Sequence, residues 1–211
     1  MRTLRIPARE GMRAGMQVIL LPPAYGEPED FLTAGFAEAV RARALDVDLI
    51  LVAPQPAHVT DRAFLGALGE ELHNRGPQGT WLGGISLGAY FALCCAERTP
   101  SMLAGVLLLA PYLGSYLTVS DVARAGLKAW PAPEESSADE ELRVWGFLKH
   151  WPPGLRLHLG LGQQDRYAAR HRVLAAALSS EQVDTVSGAH DWPTWRRLWD
   201  NFLDVRLPRR T

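Results

Sequence analysis

Short apolar runs recur along this chain of 211 residues, and segments of helical spacing separate them. The clearest runs are Met16 to Leu21, Val47 to Val52, Thr80 to Ile85 and Ala104 to Ala110. Because apolar residues occupy successive positions in these runs, both faces of each strand must be covered. This pattern predicts an α/β three-layer sandwich, with a mostly parallel central sheet of six to seven strands and helices on both faces.

The same alternation continues toward the C-terminus. Further strands are expected from Leu155 to Leu161 and from Val183 to Val186, and helices from Glu29 to Ala44, Tyr167 to Leu178 and Trp192 to Val205. Ligands of parallel sheets bind where the carboxyl ends of the strands meet. Polar residues that follow these strands are therefore candidates for a common site.

Composition and charge restrict the class of protein. The chain is 47% hydrophobic and 21% charged with a formal net charge of −1, which fits one globular domain over residues 1–211. Such a balance provides no basic field for nucleic acid or an anionic membrane. No run approaches the roughly 18 apolar residues of a membrane span, and charged residues interrupt any signal peptide near the N-terminus.

Cysteine usage favours a reducing compartment. The only two cysteines, Cys94 and Cys95, are adjacent within a predicted helix and point in different directions, so an ordinary disulfide between them is unfavourable. We expect both to be small core residues and the protein to be cytoplasmic.

The segment 112–153 is long for a connection between two strands. It contains an acidic, serine-rich patch at positions 134–141 and a predicted helix from Glu140 to His150. One interpretation is a solvated excursion, and the other is a small cap over the site. In the second case an apolar wall would come from Leu117, Leu127, Trp130, Trp145 and Phe147.

Gly84-Ile85-Ser86-Leu87-Gly88 lies between a predicted strand and a predicted helix. A serine hydroxyl becomes a useful nucleophile when a sharp turn lifts it from the backbone, and such a turn needs small neighbours such as Gly84 and Gly88. The amides of the following helix would face a developing oxyanion. The alternative is a tight turn in which Ser86 only caps the helix.

A serine nucleophile needs a base, and His190 is the best placed of six histidines. It lies in Ser187-Gly188-Ala189-His190-Asp191-Trp192, between the last short strand and the final helix. The base needs an orienting acid, and Asp165 follows the preceding strand in a loop opened by glycines. Capping of the next helix is the alternative role of Asp165. Asp191 and Asp184 are weaker candidates for the acid.

An oxyanion requires two hydrogen-bond donors. The backbone N–H of Leu87 would be one, since Leu87 follows the nucleophile. The second is expected in Leu21-Pro22-Pro23-Ala24-Tyr25-Gly26, where prolines have no N–H, so Ala24 or Tyr25 remains. The ring of Tyr25 is a further candidate for the pocket wall.

These motifs resemble those of the α/β-hydrolase family over nearly the whole chain. The Gly84 to Gly88 run resembles the nucleophile elbow, Gly162-Gln163-Gln164-Asp165 the acid loop, and Gly188-Ala189-His190-Asp191-Trp192 the histidine loop of esterase-type members. Pro22-Pro23 replaces the family's usual His-Gly, and Ala24 then takes the donor position. Because only 15 residues precede Met16, the outer antiparallel strands are expected to be reduced or missing.

The resemblance implies a compact serine esterase, a hydrolase that cleaves carboxylic (acyl) esters through Ser86, His190 and Asp165 and an acyl-enzyme. A thioesterase or acyltransferase with the same residues, and an inactive hydrolase-like binding protein, are the alternatives. Aromatic residues favour an apolar small-molecule acyl ester, with Tyr25, Tyr112, Trp145 and Trp192 as expected substrate-binding residues. No cofactor is expected and no metal, since His and Cys are not clustered at ligand spacing.

The final helix has tryptophans at spacings of three and four, Trp192, Trp195 and Trp199. Residues at this spacing lie near one helical face. Core packing explains the stripe, and a homodimer surface is the alternative, so either a monomer or a homodimer is expected.

Overall fold

A computed structural model describes residues 1–54, 63–73, 79–132 and 138–207. Its strands are β1 (Arg2–Ile6), β2 (Met16–Leu21), β3 (Val47–Ala53), β4 (Thr80–Ile85), β5 (Gly105–Leu109), β6 (Arg156–Gly162) and β7 (Val183–Val186). Its helices are α1 (Pro28–Thr33), α2 (Phe36–Ala42), α3 (Ala63–His73), α4 (Leu87–Arg98), α5 (Tyr116–Ala125), α6 (Glu140–Lys149), α7 (Ala168–Ala175) and α8 (Trp192–Arg206).

The seven strands form one sheet in the order β1-β3-β2-β4-β5-β6-β7. Strands β2 to β7 are parallel to their neighbours, and β1 pairs antiparallel with β3 at one edge. The chain first builds outward from β2 to β3 and then continues on the other side of β2 with β4. This reversal opens a crevice at the carboxyl ends of the central strands, which is where such sheets bind ligands.

Residues alternate along each central strand between two separate cores. In β2, Ile19 and Leu21 face the core beneath helices α3 to α7, whereas Val18 and Leu20 face the core beneath α1, α2 and α8. All four side chains are fully buried. The predicted three-layer α/β sandwich with a mostly parallel sheet is therefore confirmed.

The sheet edge agrees with the sequence prediction, whereas one predicted helix does not. The outer antiparallel strands, expected to be reduced or missing, are reduced to β1 among the described residues, and its side chains are exposed or half-buried because it lies at the sheet edge. The single helix predicted from Glu29 to Ala44 is two helices. Gly35 separates them with φ 80°, a left-handed conformation that interrupts a right-handed helix.

Helix α4 is buried along most of its length against the central strands. Cys94 and Cys95 are both free thiols in its core-facing part, and burial raises the pKa of Cys95 to about 11. Their role as small core residues agrees with the expectation. A cytoplasmic location stays a prediction. Within the part of the chain that the structure describes, no helix combines the length and apolarity needed to cross a membrane.

The tryptophan stripe of α8 is part of the core. Trp199 is fully buried, stacks at 5.4 Å on Phe36 and Phe202, and donates its Nε1–H to the Phe36 carbonyl at 3.0 Å. Trp195 is 5% exposed. Because this face packs against α2 and the sheet, core packing explains the stripe, and the oligomeric state stays a prediction.

The segment after β5 contributes two helices to one helical layer. Helix α6 packs on α4, and α5 packs on α7. Three residues expected to wall an acyl site, Leu127, Trp130 and Trp145, are at most 7% exposed and belong to the core. Residues 133–137, which include the first half of the acidic patch, lie outside the described residues. A lid function for this segment stays a prediction.

The buried histidine of β6, His158, makes the stability of the fold depend on pH. His158 is 3% exposed, and its Nδ1 accepts a hydrogen bond from Arg206 Nε at 3.4 Å. Burial, and then the neighbouring Arg206 charge, lower its pKa to about 4. The native imidazole is therefore neutral at pH values where an exposed histidine in the unfolded chain takes up a proton.

We predict that the free energy of unfolding decreases as the pH falls from about 6.5 to about 4. In this range His158 binds a proton in the unfolded state but stays neutral in the native state. The substitution His158→Gln, which cannot titrate, should remove up to about 1.4 kcal/mol per pH unit of this slope. Urea unfolding at a series of pH values measures it. The same slope in both proteins would contradict a neutral buried His158.

Candidate active site

Ser86 occupies the turn between β4 and α4 with φ 53° and ψ −113°, a conformation that non-glycine residues rarely adopt. Its N–H donates to the Leu109 carbonyl at 2.9 Å, which extends the pairing of β4 with β5. Its carbonyl accepts from Tyr90 N at 3.2 Å and from Tyr112 N at 2.9 Å. Hydrogen bonds on both sides thus hold the strained residue, with its side chain at the carboxyl edge of the sheet.

The two glycines of this turn are required by close backbone contacts. A Cβ on Gly88 would lie well inside 3.0 Å of the Leu21 and Pro22 carbonyl oxygens at the end of β2. A Cβ on Gly84 would collide with the backbone of Gly88 in the same way. The first turn of α4 therefore rests directly on the end of β2, as the predicted sharp strand-to-helix turn requires.

Asp165 lies in the loop between β6 and α7. The loop is anchored by hydrogen bonds from Gln163 N to the Val186 carbonyl and from Gln164 N to the Gly188 carbonyl, both 2.9 Å. These bonds join the loop after β6 to the loop after β7, which carries His190. The two loops therefore have a fixed relative position.

Ser86, His190 and Asp165 lie in one hydrogen-bonded line. His190 Nδ1 is 2.7 Å from Asp165 Oδ2, and His190 Nε2 is 3.1 Å from Ser86 Oγ. A carboxylate can only accept, so Nδ1 carries the proton and Nε2 is left to accept the hydroxyl proton of Ser86. The rings of Tyr167 and Trp195 contact the imidazole edge-to-face, each at 5.1 Å, and restrict its orientation.

The carboxylate of Asp165 is ionised in this setting. Burial by itself would raise its pKa, but hydrogen bonds from His190 and from the Tyr167 N–H outweigh burial, and the net pKa is lowered. The Tyr167 N–H donates to Oδ1 at 2.7 Å, which leaves Oδ2 for His190. Asp165 thus accepts a hydrogen bond from the imidazole and a second one from the Tyr167 N–H, just before α7.

The weaker candidates have other partners. Asp191 caps α8 by accepting from Thr194 N at 3.0 Å, and Asp184 accepts from Asn201 Nδ2 at 2.9 Å. His158 is buried in β6, and His171 is buried in α7, where its Nε2 lies 3.1 Å from the Pro111 carbonyl oxygen. His58 lies outside the described residues.

Ala24 and Leu87 face the same cavity as Ser86. Leu87 is the first residue of α4, where backbone N–H groups have no partner within the helix. Ala24 lies in a β-turn closed by a hydrogen bond from Gly26 N to the Pro23 carbonyl at 2.9 Å. Tyr25 takes the next turn position with φ 63°, and its side chain is fully exposed. The cavity wall therefore includes Ala24 and not the ring of Tyr25.

The cavity has a volume of about 220 Å³. Its lining comprises Ala24, Ser86, Leu87, Pro111, Tyr112, Leu113, Arg166, Tyr167 and Arg170. The sequence analysis did not single out Arg166, Tyr167 and Arg170, although Arg166 and Tyr167 follow Asp165 directly in the loop at the carboxyl edge and Arg170 lies in the first turn of α7. That position is the signal that could have found them.

Tyr112 is the one aromatic residue of the expected substrate-binding set that lines this cavity. Its hydroxyl donates to Glu141 Oε1 at 3.1 Å. Glu141 Oε2 accepts from Ser115 N at 2.8 Å and from Thr118 Oγ1 at 3.0 Å. Although burial opposes ionisation of Glu141, these hydrogen bonds lower its pKa overall. A charged carboxylate in α6 thus fixes the wall that Tyr112 forms.

The other expected aromatic contacts are corrected. Trp145 is fully buried, and its Nε1–H donates to the Leu113 carbonyl at 2.9 Å, because α6 packs inward on α4. Trp192 packs edge-to-face on Phe31 at 5.4 Å, on the opposite side of the sheet. Neither tryptophan is among the described residues that line the cavity beside Ser86.

Solved structures share this architecture over almost the whole chain. FphF, a fluorophosphonate-binding serine hydrolase of Staphylococcus aureus, matches with a TM-score of 0.72 at 10% identity, over 96% of this chain and 90% of its own. The S-formylglutathione hydrolase FrmB of the same organism matches with 0.70 at 11% identity, over 96% and 91%. MGS-MChE2, an α/β-hydrolase from a lagoon-sediment metagenome, matches with 0.60 at 14% identity, over 97% and 94%. Similarity at these identities concerns the fold, which is that of an α/β-hydrolase.

Sequence comparison identifies the family within this class. The profile of the Esterase family, described as "Putative esterase", matches residues 67–203, more than half of the chain. The chain therefore belongs to the Esterase family, and it is a hydrolase enzyme, as the resemblance implied. Among curated proteins, none matches its sequence significantly.

We predict that Gly88→Ala destabilises the protein by about 1–3 kcal/mol, because the new Cβ has to displace the backbone at the end of β2. Gly66→Ala is the matched control, since a Cβ there meets nothing within 4 Å. That substitution within α3 should be neutral or stabilise by up to about 1 kcal/mol. Urea unfolding measures both, and equal stability of the two variants would argue against the close contact at Gly88.

Proposed function

We propose that this chain hydrolyses carboxylic esters with Ser86 as nucleophile, His190 as general base and Asp165 as the group that orients the base. One observation carries the proposal: the imidazole of His190 joins the other two side chains, at 3.1 Å from Ser86 Oγ and 2.7 Å from Asp165 Oδ2. These distances are within the hydrogen-bond reach that proton transfer needs.

In the first half of the reaction, Ser86 Oγ attacks the carbonyl carbon of the ester while His190 Nε2 accepts the hydroxyl proton. The resulting imidazolium is stabilised by the ionised Asp165. When the tetrahedral intermediate collapses, the bond to the leaving alcohol breaks, and His190 returns the proton to the alcohol oxygen. The acyl group remains as an ester of Ser86.

In the second half, a water molecule takes the place of the alcohol. His190 Nε2 accepts a proton from this water as its oxygen attacks the acyl carbon. Collapse of the second intermediate releases the carboxylic acid and restores the hydroxyl of Ser86. Ser86 is half-buried beside this cavity, so water can reach the acyl group.

Negative charge develops on the carbonyl oxygen in both halves. We assign its stabilisation to the backbone N–H groups of Leu87 and Ala24, because both residues line the cavity with Ser86. Pro22 and Pro23 precede Ala24 and have no N–H to offer. Tyr25 is the less favoured donor, since its residue lies outside the cavity wall.

The names of structural neighbours support the same reaction class. They include an S-formylglutathione hydrolase, a ferulic acid esterase and a fluorophosphonate-binding serine hydrolase. S-formylglutathione is a thioester and ferulic acid esters are oxygen esters, so both of these substrates contain an acyl group bound to sulfur or oxygen. The fold that they share with this chain is compatible with attack on such a group.

Ser86→Ala is expected to reduce kcat for short p-nitrophenyl esters by about 10⁴-fold or more, because the nucleophile is lost. Asp165→Asn should reduce kcat by a similar order, since it supports the wrong tautomer of His190. Ester turnover and covalent labelling by a fluorophosphonate, followed by peptide mass mapping, are the measurements.

The matched control is Ser101→Ala, which removes an exposed serine far from the cavity and should leave turnover and labelling unchanged. Circular dichroism and urea unfolding establish that each variant is folded. A folded Ser86→Ala protein with undiminished turnover, or a label on another serine, would contradict the proposed role of Ser86. Absence of both turnover and labelling in the folded wild type would favour a binding protein.

Ala24→Pro tests the second oxyanion donor. Ala24 is the second residue of its β-turn, a position where proline is well accommodated, so the substitution removes the N–H with little disturbance of the backbone. We expect kcat to fall by about 10²–10³-fold, with the stability nearly unchanged.

Ala24→Gly retains the N–H and is the control, with kcat expected within a few-fold of the wild type. If Ala24→Pro retains full kcat, the donor is another amide, and Tyr25 N becomes the leading candidate.

A further inference from the structure

Two arginines line the cavity beside Ser86. Arg166 and Arg170 flank the ring of Tyr167, with their guanidinium carbons 4.9 Å and 5.8 Å from its centroid. All three residues line the cavity that also contains Ser86 and Leu87. Two positive charges thus stand within one cavity of about 220 Å³, close to the expected nucleophile.

Neither arginine forms an ion pair with a carboxylate of the described residues. Across the described residues, no Asp or Glu oxygen lies within 4.0 Å of the Arg166 or Arg170 guanidinium. Arg170 has one long hydrogen bond, from Nη1 to the Gly114 carbonyl at 3.4 Å. Arg43 illustrates the contrast, since it pairs with both Asp200 and Asp204 at 2.8 Å and 2.7 Å.

The nearest carboxylates are already engaged. Both oxygens of Asp165 accept hydrogen bonds, from His190 and from the Tyr167 N–H. Both oxygens of Glu141 accept as well, from Tyr112, Ser115 and Thr118. The cavity lining contains no Asp or Glu among the described residues. Two like charges in one cavity repel each other, so an anion that enters would relieve this repulsion.

We propose that the cavity takes acyl esters that carry a carboxylate a few atoms from the scissile carbonyl, with Arg166 and Arg170 binding that carboxylate. The inference rests on the proposed esterase function, because it concerns the substrate of the same site. Guanidinium groups bind carboxylates through paired, charge-assisted hydrogen bonds. The small cavity favours a short acyl or aryl group over a long chain.

The contribution of each arginine is moderate because both side chains reach solvent. Arg166 is exposed and Arg170 is half-buried. Water and salt weaken charge interactions in such positions. The preference for an anionic substrate should therefore be of the order of tenfold, and it should decrease at high ionic strength.

The experiment uses matched ester pairs that differ in one charge. Mono-p-nitrophenyl glutarate has its carboxylate on the acyl side, and its methyl ester is the neutral partner. The second pair is m-acetoxybenzoate, with the carboxylate on the leaving group, and its methyl ester. The ratio of kcat/KM for the anionic and the neutral ester is measured for each pair, at low and high NaCl.

In the wild type, we expect the anionic-to-neutral ratio of kcat/KM to exceed one for at least one of the two pairs. The pair with the larger ratio shows whether the preferred carboxylate lies on the acyl group or on the leaving group. The substitutions Arg166→Gln and Arg170→Gln should each lower that ratio several-fold, and together about tenfold or more. Turnover of the neutral ester is the reference for each variant, so a general loss of activity cancels in the ratio. Arg172→Gln is the control. It removes an exposed charge from α7, the helix of Arg170, at a position that does not line this cavity.

The outcomes separate this inference from the proposed function. Equal ratios in the wild type, the double variant and the Arg172→Gln control would overturn the inference and leave the esterase intact. If no ester is hydrolysed, the proposed function fails, and calorimetric binding of glutarate still tests the arginines. Equal affinity for glutarate in the wild type and the double variant would then overturn the inference as well.

Discussion

The contact between the first turn of α4 and the end of β2 is the constraint on which the site depends. Gly88 lies directly on the carbonyl groups of Leu21 and Pro22, and no side chain fits between them. This close approach places Ser86 and Leu87, the two residues before Gly88, beside Ala24 in the neighbouring loop. The proposed nucleophile and the backbone amides of Leu87 and Ala24 thus meet, although Ala24 comes from a distant part of the chain.

Much of this arrangement could be predicted because burial leaves a clear pattern in sequence. Strands β2 to β6 are mostly buried on both faces, so their runs are mainly apolar, and polar residues in the loops after the parallel strands converge. Ser86, Asp165 and His190 each follow a parallel strand, and parallel strands end at the same edge. Their meeting at 3.1 Å and 2.7 Å follows from topology more than from any single motif.

Other features depend on tertiary packing, which cannot be read from the residue types along the chain. Strand β1 has no apolar run because the sheet edge leaves its side chains in water. An aromatic residue such as Trp145 is equally suited to a substrate-binding wall and to a hydrophobic core. Only the inward packing of α6 shows that Trp145 belongs to the core. Arg166 and Arg170 look like surface charges in sequence. Their significance comes from the missing carboxylate partner among the described residues and from the cavity that they share with Ser86.

Glu141 connects the cavity wall to α4, the helix that begins directly after Ser86. Its carboxylate holds Tyr112 and the start of α5, while its own helix packs on α4. Tyr112 in turn donates its backbone N–H to the carbonyl of Ser86. Hydrogen bonds therefore connect the cavity wall to Ser86, so we expect a displacement that widens the cavity to shift this serine. The width of the cavity and the geometry of the proposed nucleophile are thus coupled.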